Sequence, residues 1–275
     1  TTHVAYINQK QLKTIVLENC DDQSLETILE SLSTIIQPRR AIEVPELPED
    51  HPYHNKSDLQ PEHPLINVVD ASVQYADSIH PVFENLDWTV MAGEHWRITG
   101  PNGSGKSTLL KLVTGDHPQV YRNHVEVCGF RRGSGESVWE VKRHIGYMGG
   151  EMLWNYRSSG QLAGKAIDVV MSGLYDSIGL YTKINSADRQ TARAWLTLFE
   201  IANIERRRFP ALGLAEQRLT LIARAMIKRP ALLILDEPLQ GLSAKDRSRV
   251  LKIIEKLIEA NATTLLYVSH HEDEQ

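Results

Sequence analysis

The chain has 275 residues, two cysteines and a net charge of −5, with a pI near 6.1. Two cysteines do not make a disulfide framework, and the acidic balance lacks the broad positive footprint of nucleic-acid-binding proteins. No apolar run approaches the roughly 20 residues that cross a bilayer, and the first residues carry no signal-peptide pattern. We therefore expect a cytoplasmic chain of one large or two small domains, with no nucleic-acid partner, that would meet the inner membrane only through another protein.

The first 64 residues are predicted to precede the main domain. Val4–Leu17 is compatible with a strand, and the apolar spacing within Leu25–Ile35 predicts a helix. Six of the 12 prolines lie in residues 38–64, which predicts an extended linker. The chain thus divides into an N-terminal piece at residues 1–37, the linker, and a domain at residues 65–275.

Candidate strands and helices alternate after residue 65. This order predicts an α/β fold built on a mostly parallel sheet. Two of the predicted helices are Leu162–Tyr175 and Ala187–Phe199, the latter with apolar residues at helical spacing.

The stretch Gly100–Thr108 fits the phosphate-binding loop pattern Gly-x-x-x-x-Gly-Lys-[Ser/Thr]. A predicted strand, Gly93–Gly100, leads into it, and a predicted helix leaves it. Glycines let backbone N–H groups converge on phosphate oxygens, and the start of a helix adds partial positive charge. In this pattern Lys106 reaches the β- and γ-phosphates and the Ser107 hydroxyl ligates Mg²⁺. A glycine-rich turn that matches by chance is the alternative, and the flanking strand and helix argue against it.

A second motif is the apolar run Ala231–Pro238, which ends in Asp236 and Glu237 before a proline. Such a run is typical of a parallel strand buried on both faces, and ligands of α/β proteins bind at the carboxyl ends of these strands. Asp236 is thus a candidate Mg²⁺ ligand and Glu237 a candidate base for an attacking water. Taken alone, the segment is equally compatible with an ordinary strand end and a helix-capping acid.

These motifs resemble the ATP-binding cassette (ABC) ATPases, and the resemblance extends from Leu65 to Gln275. It implies a P-loop NTPase fold of the ABC type, with a helical subdomain inserted at about residues 151–215. It also implies Mg²⁺ with ATP, pairing with a second cassette in the same polypeptide or as a homodimer, and membrane transporter subunits as further partners. Strings such as Arg132–Trp139 and Gly173–Gly179 resemble a subfamily of tandem cassettes associated by name with molybdenum transport. In that subfamily, residues 1–37 would be the tail of a preceding cassette.

The resemblance implies a role for each matching residue. Tyr75 would stack on adenine, although an aromatic that simply packs is the alternative. Glu237 would activate water and His270 would sense the γ-phosphate, whereas Ser107 and Asp236 would hold the metal. The ATP-binding residues would be Tyr75, Gly100, Pro101, Asn102, Gly103, Ser104, Gly105, Lys106, Ser107 and Thr108. The signature segment, which covers the partner's ATP in this family, would comprise Gly213, Leu214, Ala215 and Glu216.

The segment Leu212–Glu216 departs from the family's Leu-Ser-Gly-Gly-Gln pattern, and two of the changes bear on contact with the partner's ATP. Gly213 replaces the serine whose hydroxyl reaches the partner's γ-phosphate, and Ala215 places a methyl group where close approach is expected. These changes keep a second function open beside ATP hydrolysis, namely a hydrolysis-impaired switch that acts by ATP-dependent association. An energising subunit of a membrane transporter is the third interpretation.

Two further departures lie outside the signature. Gly150 stands where the family has a glutamine that helps to ligate Mg²⁺, and the adjacent Glu151 is best interpreted as a solvated loop acid. Ser243 replaces an aspartate whose charge interacts across the dimer of cassettes in this family. Ser243 followed by Asp246 nevertheless predicts the start of a helix, since this is a capping pattern.

Overall fold

The computed structural model describes residues 3–5, 13–16, 43–47, 63–76, 78–158, 164–182 and 184–269. The predicted helix Leu25–Ile35, most of the linker and His270 lie outside these residues, and they stay predictions. Within the described ranges, no helix combines the length and the apolar composition needed to cross a membrane.

The strands in chain order are β1 (His3–Ala5), β2 (Lys13–Val16), β3 (Ile66–Val73), β4 (Phe83–Val90), β5 (Trp96–Thr99), β6 (His124–Val127), β7 (Phe130–Arg131), β8 (Ile145–Met148), β9 (Leu232–Asp236) and β10 (Thr264–Ser269). The α-helices in chain order are α1 (Lys106–Thr114), α2 (Val138–Lys142), α3 (Gly150–Ser158), α4 (Ala166–Ser172), α5 (Ser186–Leu198), α6 (Leu214–Met226) and α7 (Ala244–Glu259).

The central sheet has the strand order β1-β2-β5-β10-β9-β8, and its neighbours are parallel except for the β1–β2 pair. This confirms the predicted α/β fold with a mostly parallel sheet. Two antiparallel strands, His3–Ala5 and Lys13–Val16, occur where a single strand across Val4–Leu17 was expected.

The apolar run of β9 is buried because helices and a second sheet cover the two faces of the central sheet. Successive side chains of a strand point to opposite faces. Leu233 and Leu235 therefore join a core cluster with α4, α5, α6 and α7, whereas Leu232 and Ile234 join a second cluster with α1. The cluster with the helices also includes Leu47, from the segment predicted as a linker.

A second, antiparallel sheet has the order β4-β3-β6-β7 and was not foreseen from the sequence. One of its faces is apolar, because Val68, Leu86, Trp88 and Val125 are buried on it. This face and the central sheet enclose α1 from two sides, which fixes the helix that follows the phosphate loop.

Two of the four α-helices that the structure describes between β8 and β9 correspond to the predicted helices. The prediction Ala187–Phe199 corresponds to α5, whose first turn is capped by the Asn185 side chain accepting the N–H of Asp188 at 2.7 Å. The prediction Leu162–Tyr175 corresponds to α4, which continues as a 3₁₀ turn over Gly173–Tyr175. The segment has no side chain at Gly173, where a Cβ would overlap the carbonyl oxygen of Arg224 in α6.

Candidate nucleotide-binding site

The candidate site lies at the carboxyl edge of the central sheet. Parallel strands that pair in register end together, and here Thr99 pairs with Ser269 while Asp236 pairs with Val268. The phosphate loop follows Thr99, and Glu237 follows Asp236. The structure thus brings the two motifs, which are more than 120 residues apart in the sequence, to one edge of one sheet.

The phosphate loop is held closely around Lys106. Gly105 has a φ of 97°, and a Cβ at this position would overlap the side chain of Val82. The lysine begins α1 and is only 6% exposed. Its ammonium donates hydrogen bonds to the carbonyl oxygens of Gly100 and Pro101, the latter at 2.8 Å. The loop therefore carries its positive charge on the inside, where a phosphate chain would lie.

The loop also presents hydroxyl groups. Ser104 is 7% exposed, and its hydroxyl has no hydrogen-bond partner in the part of the chain that the structure describes. Ser107, the second residue of α1, is exposed. A buried orphaned hydroxyl costs free energy unless a ligand or water satisfies it, so this loop fits an anion that accepts hydrogen bonds.

Tyr75 stands beside the start of α1. Its hydroxyl lies 3.0 Å from Oγ1 of Thr108, and its ring meets the His117 ring edge-on with centroids 5.6 Å apart. The side chain is 45% exposed, so part of the ring faces solvent next to the phosphate loop. Burial, aided by Lys111, lowers the pKa of His117, which favours the neutral imidazole as the neighbour of this ring.

The two carboxylates differ in backbone conformation. Asp236 continues the strand and accepts a hydrogen bond from the Tyr147 hydroxyl at 3.3 Å. Glu237 has a φ of 52° and donates its N–H to the carbonyl of Val268 at 3.0 Å. A left-handed residue turns the chain away from the strand direction, so the two side chains leave the sheet edge differently. Burial, together with Asp236, raises the pKa of Tyr147, and the phenol stays protonated as a donor.

Arg218 joins the site although the sequence suggested no role for it. It is 3% exposed on α6, and its Nη2 donates to the carbonyl of Gln240 at 3.2 Å. Its Nε and Nη1 are buried without a hydrogen-bond partner among the described residues. Burial and Arg157 lower its pKa, and Glu237 opposes that shift. The arginine therefore links the helix of the signature segment to the loop that follows Glu237.

The signature segment forms the start of α6. Gly213 is the exposed N-cap, and its N–H donates to Oε2 of Glu216 at 2.9 Å. Arg207 forms an ion pair with the same carboxylate oxygen at 3.3 Å. Ala215 is 5% exposed and belongs to the core cluster. Its methyl group thus packs inside the chain, and the expectation that this methyl obstructs an approaching partner conflicts with its burial.

The two remaining departures also have clear positions. Gly150 is exposed at the start of α3, with no atom near enough to contact an added Cβ, and Glu151 is exposed beside it. Ser243 caps α7, because its hydroxyl accepts the N–H of Asp246 at 3.3 Å. The predicted capping pattern at Ser243 is confirmed.

The decisive comparison is with a family model. The model described as "ABC transporter" matches residues 83–240, a range that contains the phosphate loop, the signature segment and both carboxylates. The chain belongs to the ABC transporter family of ATP-binding cassettes.

Individual relatives agree with this assignment. The ABC transporter ATP-binding protein ModF of Escherichia coli (strain K12) is 41% identical over 253 residues, which cover 90% of this chain and 50% of ModF. The chain thus spans about half the length of this relative. A putative metal-chelate type ABC transporter, solved in an inward-facing conformation, has a TM-score of 0.59 and 25% identity, with 75% of this chain and 73% of that chain covered. The ATP-binding cassette MJ0796, solved as a dimer with ADP and Pi, has a TM-score of 0.60 and 20% identity, with 76% of this chain and 89% of that chain covered. At this identity, the likeness shows the fold alone.

Proposed function

We propose that this ABC cassette binds ATP with Mg²⁺ and hydrolyses it. The observation that carries the proposal is the Lys106 ammonium inside the phosphate loop, at the same sheet edge as Asp236. Phosphoryl transfer needs mainly positioning and charge stabilisation, and both are properties of such a loop. Lys106 and the backbone N–H groups of Gly103–Thr108 hold the phosphates, and Gly100–Asn102 shape the entry to the loop.

Ser107 and Asp236 are the proposed metal ligands. A serine hydroxyl and a carboxylate are hard oxygen donors, which Mg²⁺ prefers, together with phosphate oxygens and water. Asp236 ends β9 and Ser107 lies in the loop-to-helix segment that follows β5, and these two strands end at the same sheet edge. When bound, Mg²⁺ neutralises charge on the β- and γ-phosphates. The residues present therefore fit the ion that the family requires.

Glu237 is the proposed general base. Its left-handed backbone turns it away from Asp236, so Asp236 is proposed to serve the metal and Glu237 to activate an attacking water. His270, which lies outside the described residues, follows β10 in the sequence and is proposed to sense the γ-phosphate. Tyr75 is proposed to stack on adenine, in support of which its ring is partly exposed beside the loop.

The proposed partner is a second cassette, within the same polypeptide or as a homodimer. Each signature segment, Gly213–Glu216, would then cover the ATP of the other cassette. We also propose that residues 151–215 form the helical subdomain of the cassette, and that residues 1–37 and 38–64 are the tail of a preceding unit and a linker. The similarity to ModF, half of which the chain spans, supports a tandem arrangement.

A hydrolysis-impaired switch is the second candidate, and the contact between Glu216 and Gly213 favours it. The carboxylate occupies one of the N–H donors at the start of α6 and adds negative charge there. A partner's γ-phosphate would approach the same helix start, where like charge is unfavourable. On this alternative the cassette binds ATP and associates, but turns over slowly.

A role in transport is a proposal by similarity. Molybdenum as the cargo rests on the likeness to ModF, and membrane transporter subunits as partners rest on the family. We propose a cytoplasmic protein that meets the inner membrane through such subunits. Capture of membrane proteins by the full-length tandem protein distinguishes this role from a free-standing ATPase.

Calorimetric titration with Mg–ATP and a phosphate-release assay test the proposed function together. The unmodified chain should bind ATP and release phosphate, Lys106→Ala should lose binding, and Glu237→Gln should bind but not release. A general base contributes roughly 10²–10⁴-fold, so a loss of this size is expected. Binding without release by the unmodified chain supports the switch instead, and no binding at all overturns both candidates.

A further inference from the structure

We propose that Tyr147 is a positioning residue for the metal aspartate: its hydroxyl orients the Asp236 carboxylate toward Mg²⁺. This inference rests on the proposed metal site of Ser107 and Asp236. After β8, Gly150 stands where the family has a glutamine that contacts the metal. Tyr147 lies three positions earlier, within β8, and contacts the proposed metal aspartate.

Strand register places the tyrosine on the correct face. β8 runs parallel to β9, and Tyr147 pairs with Ile234. Because side chains alternate along a strand, Ile234 and Asp236 share one face, and Tyr147 shares it with them. Its ring packs against the same core cluster as Ile234, while the length of the phenol carries the hydroxyl on to Asp236. The Tyr147 hydroxyl donates to Oδ2 of Asp236 at 3.3 Å.

Gly149 makes room for this contact. A Cβ on Gly149 would overlap the phenolic oxygen of Tyr147, and it would also crowd two ring carbons. The position after it is different, because a Cβ on Gly150 would meet no atom within contact distance. The missing side chain at 149, rather than at 150, is therefore the one that the tyrosine requires.

A hydrogen bond to Oδ2 helps the carboxylate to act as a ligand. A carboxylate accepts at about four lone-pair sites, so it can accept the bond from Tyr147 and ligate a metal at the same time. The bond also limits rotation of the side chain. Loss of such a partner of a metal ligand typically weakens metal binding about 10- to 100-fold. Because 3.3 Å is long for an O–H···O hydrogen bond, we expect an effect near tenfold, at the low end of that range.

The matched control is a second tyrosine–aspartate pair in the same chain. The Tyr175 hydroxyl donates to Oδ2 of Asp188 at 3.2 Å, and neither residue belongs to the site. Tyr147→Phe and Tyr175→Phe thus remove the same kind of bond, one beside the proposed metal and one away from it.

The experiment measures ATP binding by calorimetry in EDTA and then at increasing Mg²⁺. We expect Tyr147→Phe to leave ATP affinity in EDTA unchanged and to raise the Mg²⁺ concentration at half effect about tenfold. Tyr175→Phe should change neither. An unchanged Mg²⁺ dependence in Tyr147→Phe overturns the inference. The proposed metal site itself is wrong if Mg²⁺ does not change ATP binding by the unmodified chain. It is also wrong if Asp236→Asn keeps the full Mg²⁺ effect on ATP binding.

Gly149→Ala tests the same contact without removing the tyrosine. Its methyl group would displace the hydroxyl, and the Mg²⁺ requirement should again increase. If both changes act through the hydroxyl, the variant carrying both should be no worse than the more affected single variant, whereas independent effects would add. Additive losses overturn the inference. Should Tyr147→Phe fail to fold, Gly149→Ala alone decides the question by its Mg²⁺ dependence.

Discussion

The carboxylate of Glu216 accepts the backbone N–H of Gly213 at 2.9 Å, so the signature helix of this cassette is capped by its own side chain. Serine is a preferred N-cap residue, and glycine at this place leaves the capping to the acid three residues later. A Cβ at Gly213 would lie 3.6 Å from that carboxylate, which is ordinary contact distance, so a serine fits. The signature therefore has room for the hydroxyl that it lacks.

Gly213→Ser should tighten ATP-dependent association. The added hydroxyl offers a hydrogen bond to a charged phosphate, which contributes about 1.5–3 kcal/mol, or roughly 10- to 100-fold. The hydroxyl can also cap its own helix, which would reduce this gain. Sedimentation in ATP, in a Glu237→Gln background that slows turnover, is the measurement.

Ala215→Gly is the control for that change. Because Ala215 is buried in the core cluster, removing its methyl should not aid association and should cost about 1 kcal/mol of helix stability. Equal gains from both substitutions would show that obstruction at Ala215 matters after all. If Gly213→Ser does not tighten association, the charge missing at Ser243 becomes the better explanation for weak association.

Mg–ATP should stabilise the fold through Lys106. At a hundredfold excess over its Kd, a ligand adds about 2.7 kcal/mol to the free energy of unfolding. For a domain of this size, that corresponds to a melting temperature roughly 5–10 °C higher. Lys106→Ala should lose most of the shift. Lys111→Ala, an exposed lysine on the same helix, should retain it, and a shift that survives in Lys106→Ala would contradict the assignment.

Tyr75 should discriminate ATP from inorganic triphosphate. Aromatic stacking is worth about 0.5–1.5 kcal/mol, so Tyr75→Ala should weaken ATP binding roughly 2- to 10-fold more than triphosphate binding. Tyr75→Phe loses only the contact with Thr108 and should keep the preference for ATP. Tyr121→Ala removes another exposed tyrosine and should affect neither ligand. Equal losses for both ligands in Tyr75→Ala would favour a packing role.

Lys228 and Asp176 form a buried ion pair whose contribution to stability should depend on pH. The lysine side chain is 1% exposed, and burial lowers its pKa from 10.5 to about 8, with Asp176 opposing the shift. Between pH 8 and 10.5, Lys228 is therefore protonated more fully in the unfolded chain than in the folded chain. Its contribution to the free energy of unfolding increases as the pH rises through that window. Without Asp176, the pKa in the folded state should be lower still.

Asp176→Asn should consequently destabilise the fold by about 3 kcal/mol at pH 6, and by less at pH 9, where Lys228 is already neutral. Asparagine tolerates the left-handed backbone at this position, where φ is 47°, so strain adds little. Asp116→Asn breaks the exposed pair with Lys142 and should cost less than about 1 kcal/mol. Chemical denaturation of both variants at the two pH values is the measurement, and a loss that does not change with pH would contradict the predicted titration.

Most of the fold's outline followed from local patterns. Gly100–Thr108 is contiguous, and its spacing alone dictates a loop before a helix. The apolar run ending at Asp236 predicts a buried parallel strand, and the structure confirms it. The antiparallel sheet was not predicted because its pairing joins separate parts of the chain: Val68 in β3 pairs with Trp88 in β4 and with Val125 in β6.

The sequence by itself determined the candidate phosphate and metal residues, because the patterns of a phosphate loop and of a strand-end aspartate involve only neighbours in the chain. Tertiary structure alone decided that Tyr147 reaches Asp236, that Arg218 reaches Gln240, and that the Ala215 methyl lies in the core. The first two contacts join residues 89 and 22 positions apart. They depend on strand register and helix packing, and a register shift of one residue would turn Tyr147 to the opposite face of the sheet.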